Sequence, residues 1–492
     1  MKKILSVIIA ALMLLPLAAC TGDTVTDDTT KPQTTAAEVE TETETEKSTE
    51  TDTEKVNETE SETETEQNTG IETEKEAETE TEKETETETE TETETEKQTE
   101  EETKEPAKKK TADVSNIKFW TFDDTFTGKI IGLYCETEPN ATVTVFNSAG
   151  DLVLQERAID KYFYGKFVMP EGQESVDVFF FAQSEGKEIS DASEMVTLRF
   201  SDDVGANAMI AHGSHVFLNW YRNHYDGYEV VPGGSEAEQK TYMLSVKKYL
   251  EAQLDQIREK TGKKTKIMVV VCTNPATIYH ETQYSEAEGG WGDHFMPTSI
   301  TQFAEYMKDD DDIYIIDIRD LLEENKNDRL LFMQADSHWT QVAAYYAYYK
   351  AALRIQNDFP ETKVYDLDKD FDVRIVPSGG DLLNFMGASA LGAVAATASV
   401  SWKDTSMAAP ETAPTAYVMG DSYYGAFSNY LDLLFSTVYL NYPENNPPLY
   451  DYTLEDLQSK QPDYLVYIWT ERNIDGSLGM LMSSISAGNI ID

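Results

Sequence analysis

From Thr21 to about Ala112 the 492-residue chain is a near-continuous alternation of Thr and Glu, as in Thr85 through Glu96, broken by Lys and Gln and almost nothing apolar. Such a segment has nothing to bury against the entropy of ordering, and its carboxylates repel, so it is expected to be disordered and extended. Folding is therefore confined to residues 113–492. Fully stretched, about 90 residues of this kind reach roughly 300 Å. That is a tether long enough to carry a domain through a thick cell wall, as in a Gram-positive host. The formal charge of −51 divides accordingly: residues 21–112 hold 33 acidic and 10 basic side chains, and residues 113–492 hold 58 and 28. An acidic surface of this kind argues against nucleic acid and anionic headgroups as partners, while glycans remain open.

The first 19 residues read as a signal peptide. Lys2 and Lys3 precede an apolar run from Ile4 to Leu15 that is too short to span a bilayer comfortably. The run ends in Leu17-Ala18-Ala19-Cys20, which resembles a bacterial lipobox, so Cys20 is the expected lipidation site and the acyl chains the only membrane contact. A cleaved non-lipid signal is the alternative. Cys135 and Cys272 are then the remaining cysteines; Cys272 closes the apolar run Ile267 to Val271, where a thiol serves as a small buried hydrophobe.

Residues 113–202 alternate apolar and polar side chains in short runs, at Lys129 to Tyr134, Ala141 to Phe146 and Ser175 to Phe181, with turn signals between them. This pattern predicts a small all-β sandwich and resembles an immunoglobulin-like module. It contains no catalytic cluster; a spacer role and glycan binding both remain open.

Beyond Asp203 the period changes. Apolar strands are expected at Ile267 to Val271, Ile313 to Ile316, Tyr417 to Met419 and Tyr464 to Ile468. Helices are expected at Thr301 to Met307, Thr340 to Ile355, Tyr424 to Phe435 and Leu454 to Ser459, with a further helix opened by the capping box Ser235-Glu236-Ala237-Glu238 and stopped at Thr261-Gly262. Strands alternating with helices predict an α/β domain over 203–492 with a mainly parallel sheet, and ligands belong at the carboxyl ends of its strands.

One such end carries chemistry. Tyr417-Val418-Met419 runs into Gly420-Asp421-Ser422, placing a serine on a tight turn before a helix, where backbone N–H groups and the helix dipole favour a developing oxyanion. An ordinary turn or N-cap uses the same residues. A nucleophilic serine needs a base, and of the six histidines His338 has the telling context. In Asp336-Ser337-His338-Trp339-Thr340 an extended backbone puts Asp336 and His338 on one face, where the carboxylate fixes the imidazole tautomer. The alternative is an Asp and a His that merely cap the helix beginning at Thr340.

Together these motifs resemble the SGNH hydrolase-like alginate O-acetyltransferases (the AlgX/AlgJ family) and the related Firmicute proteins named for a DHHW motif. The Asp-x-His-Trp-Thr segment precedes the Gly-x-Ser block, and Ser337 stands at the second DHHW position. Further echoes are Gly213 to Asn219, Gly380-Asp381-Leu382, Pro462-Asp463-Tyr464 and Glu471-Arg472-Asn473, so the likeness spans about residues 205–475. It implies an SGNH-like parallel-sheet domain with Ser422 as nucleophile, His338 as general base and Asp336 as its orienter, and a structural role for Asp421. It also implies acyl transfer onto an envelope polysaccharide, with a membrane O-acyltransferase as acetyl donor. With water as acceptor the same site is an esterase.

Gly380, Asn384 and Arg472 are candidates for oxyanion or substrate contacts from their places in expected loops. Trp291, Trp339, Tyr423 and Tyr424 are candidates for stacking on sugars, Trp339 above all because it adjoins the base; core packing is the competing role. No cofactor is implied, and no Cys pair or His-x-x-x-His spacing points to a metal, although His212, His215, Asp293 and His294 could converge. The run Asp309 to Asp312 lacks the spacing of a calcium loop. A reading of another class also stands: a catalytically inactive glycan-binding or scaffold lipoprotein that keeps the fold.

Overall fold

Apolar runs with β-branched residues on both faces require cover on both sides, and that requirement organises the structure around Lys266–Cys272. A computed structural model describes residues 108–473 apart from 125–127, 202–203, 206–207, 219–234, 283–298 and 442–453. The expected signal segment, Cys20 and nearly all of the Thr/Glu run lie outside the described residues, as does Trp291.

Strands β11 (Lys266–Cys272), β12 (Ile313–Ile316), β15 (Thr415–Gly420), β16 (Thr437–Asn441) and β17 (Tyr464–Thr470) form one sheet in the order β12-β11-β17-β15-β16. Every pairing is parallel. Along β11 the side chains alternate between two cores. Ile267, Val269 and Val271 meet Met243, Val246, Leu250 and Leu254 of the helix Glu236–Thr261. Met268, Val270 and Cys272 share the opposite core with Ala347, Ala351 and Ile355 of the helix Gln341–Asp358. The mixed α/β architecture with a parallel sheet is thus as expected. The helix Glu236–Thr261 starts at the Ser235/Glu238 capping box and ends at Gly262 in the left-handed region, where only a residue without a Cβ is unstrained. Cys135 and Cys272 are both free and buried. Among the described residues no helix is long and apolar enough to cross a membrane.

The expected helix from Tyr424 to Phe435 is broken. A four-residue helix Tyr424–Phe427, a 3-10 turn Ser428–Tyr430 and a second short helix Leu431–Leu434 take its place. Phe427, Tyr430, Leu431, Leu433, Leu434 and Phe435 are all buried. One straight helix would have turned some of these into solvent, and the breaks bury them all.

Residues 115–199 form two antiparallel arrays: β1 (Ser115–Asp124), β2 (Gly128–Glu136) and β5 (Tyr162–Phe167) in one, and β3 (Thr142–Asn147), β4 (Leu152–Arg157), β6 (Ser175–Gln183) and β7 (Val196–Arg199) in the other. Ile131, Leu133, Val143, Val145, Phe163 and Phe180 fill the space between them. The opposite face of the first array, with Trp120, Phe122, Ile130, Tyr134 and Tyr164, packs into the large core of the α/β region. Polar contacts close the seam: Tyr164 Oη donates to the Val394 carbonyl at 2.8 Å, and Gln334 Nε2 to the Tyr162 carbonyl at 2.9 Å. The strand β8 (Val204–Gly205), just past the boundary expected at 202, pairs in parallel with β1. The α/β region also carries the antiparallel pairs β9 (Ala208–Ile210) with β10 (Val216–Leu218) and β13 (Phe371–Ser378) with β14 (Ala395–Trp402), which the sequence reading did not foresee.

Candidate active site

Parallel strands leave a row of loops beyond their carboxyl ends, and β15 ends at Gly420, which places Asp421 and Ser422 there. A Cβ on Gly420 would stand 2.8 Å from the Cβ of Ile468, so glycine lets β15 stay close to β17 just before the turn. Asp421 shapes that turn. Its Oδ1 accepts from the Tyr423 N–H at 3.0 Å, and its Oδ2 accepts from the Thr470 N–H at 2.8 Å and from the Thr470 hydroxyl. The Ser422 side chain is left exposed.

His338 approaches from the loop before Gln341–Asp358, a helix whose N-cap Thr340 accepts from the Ala343 N–H. Ser422 Oγ lies 2.7 Å from His338 Nε2, and His338 Nδ1 lies 2.6 Å from Asp336 Oδ1. The partners are those expected, but the backbone is not extended. Residues 336–338 form a bend in which Asp336 Oδ1 also accepts the His338 N–H at 2.9 Å, so the carboxylate folds back onto its own turn. Burial pushes the Asp336 carboxyl up, but hydrogen bonds and charge from His338, with the Asp381 and His338 amides, outweigh it and hold it below the usual carboxylate range. An ionised Asp336 can only accept, so Nδ1 carries a proton and Nε2 is left to accept from the Ser422 hydroxyl.

Tyr423 locks the two loops together. Its ring lies against the His338 imidazole with centroids 4.8 Å apart, its hydroxyl donates to the Ser337 carbonyl, and its own carbonyl accepts from Trp339 Nε1 at 2.9 Å. Arg472, following β17, donates to the Tyr423 hydroxyl at 2.7 Å and stacks over the ring. The separation of Ser422 and His338 is therefore set by a buried aromatic and a cation, two features that composition and spacing do not reveal.

Trp339, expected to stack on sugar, is fully buried with its N–H bonded to Tyr423, so it belongs to the core. Tyr423 is buried too, while Tyr424 is half-buried. The helix after Ser422 has only four residues, too few aligned peptides for the dipole effect expected there. The Ser422 N–H makes no hydrogen bond among the described residues. Gly380 packs against the Ala335 carbonyl, and Asn384 is exposed on the helix Asp381–Phe385. His212 binds Glu156 at 2.6 Å and the His215 ring packs against Tyr279 at a tilt, with centroids 4.3 Å apart, while Asp293 and His294 lie outside the described residues.

The residue missed by the sequence reading is Asp381, which was seen only as part of a Gly-Asp-Leu echo. Its N–H donates to Asp336 Oδ2 at 3.1 Å, and its Oδ1 accepts the Ser337 N–H at 2.8 Å. Asp336, His338 and Asp381 bring atoms capable of binding a metal within 4.8 Å of one another, but an Nδ1 that carries a proton has no lone pair to offer.

Residues 247–443 match the family model for the SGNH hydrolase-like domain of acetyltransferase AlgX, a span that contains Asp336, His338, Asp381 and Ser422. The resemblance read from the two motifs therefore stands. No curated protein matches the chain. Among solved structures it is similar to the O-acetyltransferase domain of Pseudomonas putida AlgJ, with 17% identity, covering 56% of this chain and 99% of that one at a TM-score of 0.37. A DHHW family protein from Eubacterium siraeum follows at 11% identity, 62% and 95% coverage and a TM-score of 0.33. Bacillus cereus PatB1 gives 11% identity, 48% and 92% coverage and a TM-score of 0.34.

Proposed function

Taking residues 247–443 as an SGNH hydrolase-like domain of the AlgX acetyltransferase type, we propose that the protein transfers acyl groups through Ser422, and that its biological reaction is O-acetylation of an envelope polysaccharide. The observation that carries this reading is the unbroken run from Asp336 through His338 to an exposed Ser422, at 2.6 and 2.7 Å. Ser422 Oγ attacks the ester carbonyl while His338 Nε2 takes its proton, and Asp336 stabilises the imidazolium. The departing alcohol takes the proton back, leaving an acyl-serine. A sugar hydroxyl then gives its proton to Nε2 and attacks the acyl carbon, and the acyl–Oγ bond breaks as Ser422 Oγ takes that proton back, which releases the sugar ester and restores the serine. Water at that step makes the product a free acid, so acceptor binding decides between transferase and esterase.

The remaining elements fit this role. Cys20 carries the lipid anchor, the Thr/Glu run serves as tether on the extracellular face of the membrane, and residues 113–202 act as an immunoglobulin-like spacer that presents the domain to the polysaccharide. The acetyl donor is a membrane O-acyltransferase. The test is release of p-nitrophenol from p-nitrophenyl acetate, with and without added oligosaccharides. Ser422→Ala and His338→Ala are expected to abolish turnover with the fold intact. A folded wild-type protein without serine-dependent turnover supports the glycan-binding scaffold instead.

A further inference from the structure

Around His338 the structure places a second carboxylate that the acyl-transfer reading does not use. We propose that Asp381 is a second positioning residue for His338, acting through Ser337 beside Asp336; this rests on the function proposed above. Gly380 allows the approach. A Cβ there would stand 1.9 Å from the Ala335 carbonyl oxygen, so only glycine lets Asp381 sit directly against the 335–338 turn. Asp381 then meets that turn with three groups. Its N–H holds Asp336 Oδ2, its Oδ1 accepts the Ser337 N–H, and its Oδ2 accepts the Ser337 hydroxyl at 2.5 Å.

The same Oδ2 lies 3.9 Å from His338 Nδ1, and Ser337 Oγ lies 3.5 Å from it. The Nδ1 edge of the imidazole thus faces Asp336 in contact, with a hydroxyl and a second carboxylate just behind. The other groups on the ring are Ser422 at Nε2 and the face of Tyr423. Among the described residues the nearby cation is Arg472, held on the Tyr423 hydroxyl and 3.5 Å from the Ser337 carbonyl. Asp421 is turned away to Thr470.

Two consequences follow. When His338 takes the serine proton, the charge on Asp381 favours the imidazolium alongside Asp336. When Asp336 is lost, Ser337 Oγ can accept the Nδ1–H while still donating to Asp381, which keeps the tautomer that leaves Nε2 free to act as base. The imidazole is therefore doubly secured, and removal of Asp336 alone understates what carboxylates contribute to this site.

Asp381→Asn separates charge from shape, because the amide oxygen still accepts from the Ser337 N–H. In the full chain, NMR titration of labelled histidine, with the His338 signal assigned from His338→Gln, reads the imidazole whether or not ester is turned over. The midpoint of its protonation is expected to fall by about half to one pH unit in Asp381→Asn. The acid limb of the kcat/KM profile for p-nitrophenyl acetate is expected to move with it. Asp381→Asn is also expected to cost about tenfold more in the Asp336→Asn background than in wild type, because members of one network are not additive. An unmoved midpoint with lowered unfolding stability, or equal losses in both backgrounds, overturns the proposal and leaves Asp381 as a turn clamp. A moved midpoint in a protein without serine-dependent turnover refutes acyl transfer and upholds the pairing.

Discussion

Gly379 and Gly380 are adjacent and chemically identical, yet the structure predicts opposite outcomes for alanine at the two positions. Gly380 has φ −151° and ψ 150°, a conformation that alanine adopts freely, so any effect there is steric. Its Cβ would lie 1.9 Å from the Ala335 oxygen, 2.6 Å from the Ala335 carbonyl carbon and 3.3 Å from the Asp336 nitrogen, whereas ordinary contact begins near 3.4 Å. The opposing atoms are backbone and cannot swing aside, so the two segments must part by about 1.5 Å. The hydrogen bonds across that seam, at 3.1 Å to Asp336 and 2.8 Å from Ser337, do not survive such a move. Overpacking of this kind costs about 1–3 kcal/mol of stability. A catalytic group displaced by about 1 Å loses on the order of a hundredfold in rate. At Gly379 nothing lies within 4 Å of the added carbon, so Gly379→Ala should stay within about 0.5 kcal/mol of wild type. Urea unfolding and p-nitrophenyl acetate kinetics on both variants decide the matter. Alanine keeps the backbone N–H, so a Gly380→Ala protein with near-wild-type kcat/KM and an unchanged unfolding midpoint refutes the packing role and returns Gly380 to the oxyanion candidates.

Three further outcomes are expected. Tyr423→Phe removes the hydroxyl between Arg472 and the Ser337 carbonyl; a loss of about 1–3 kcal/mol in urea unfolding and a lower kcat should accompany it. Asp421→Ala unties the serine turn from Thr470 and should reduce both stability and turnover, with partial recovery in Asp421→Asn, which keeps an acceptor. Burial pushes the His215 imidazole from 6.5 down to about 4, against the opposing pull of Glu281 and Glu156. The unfolded chain therefore binds the extra proton first, and stability should decline as pH falls from about 6.5 toward 4, by no more than about 3 kcal/mol and less for a ring that is partly exposed. In His215→Phe that decline, followed by urea unfolding at pH 7 and pH 5, should be smaller.

The parts of this fold that could be read from sequence are those fixed by short-range chemistry. The run 267–272 is apolar on both faces because two cores claim alternate positions, and that pattern is local. The Ser235/Glu238 box and Thr340 satisfy helix N–H groups within three residues of themselves. Asp336 and His338 are two apart and meet within one turn, so their partnership is legible from spacing alone, although a bend and not an extended backbone makes it. What was hidden depends on long-range packing. Asp381 reaches Ser337 only because the chain between them returns along β13 and past Gly380, and nothing in a Gly-Asp-Leu tripeptide announces that. Trp339 looked like a sugar platform because it adjoins the base, but Tyr423 and Phe427 close over it. The β13/β14 pair was missed because Ala395–Trp402 is rich in Ala and Ser, residues with little intrinsic strand preference.

Acyl transfer through Ser422 is tested most directly by trapping the intermediate. The protein is mixed with p-nitrophenyl acetate, quenched in acid and digested, and the peptide carrying Ser422 is examined by mass spectrometry. The expected result is an acetyl group on Ser422 in wild type, strongly reduced in His338→Ala and absent in Ser422→Ala. Release of p-nitrophenol with the acetyl group elsewhere, or equal labelling of all three proteins, would contradict the assignment of Ser422 as nucleophile.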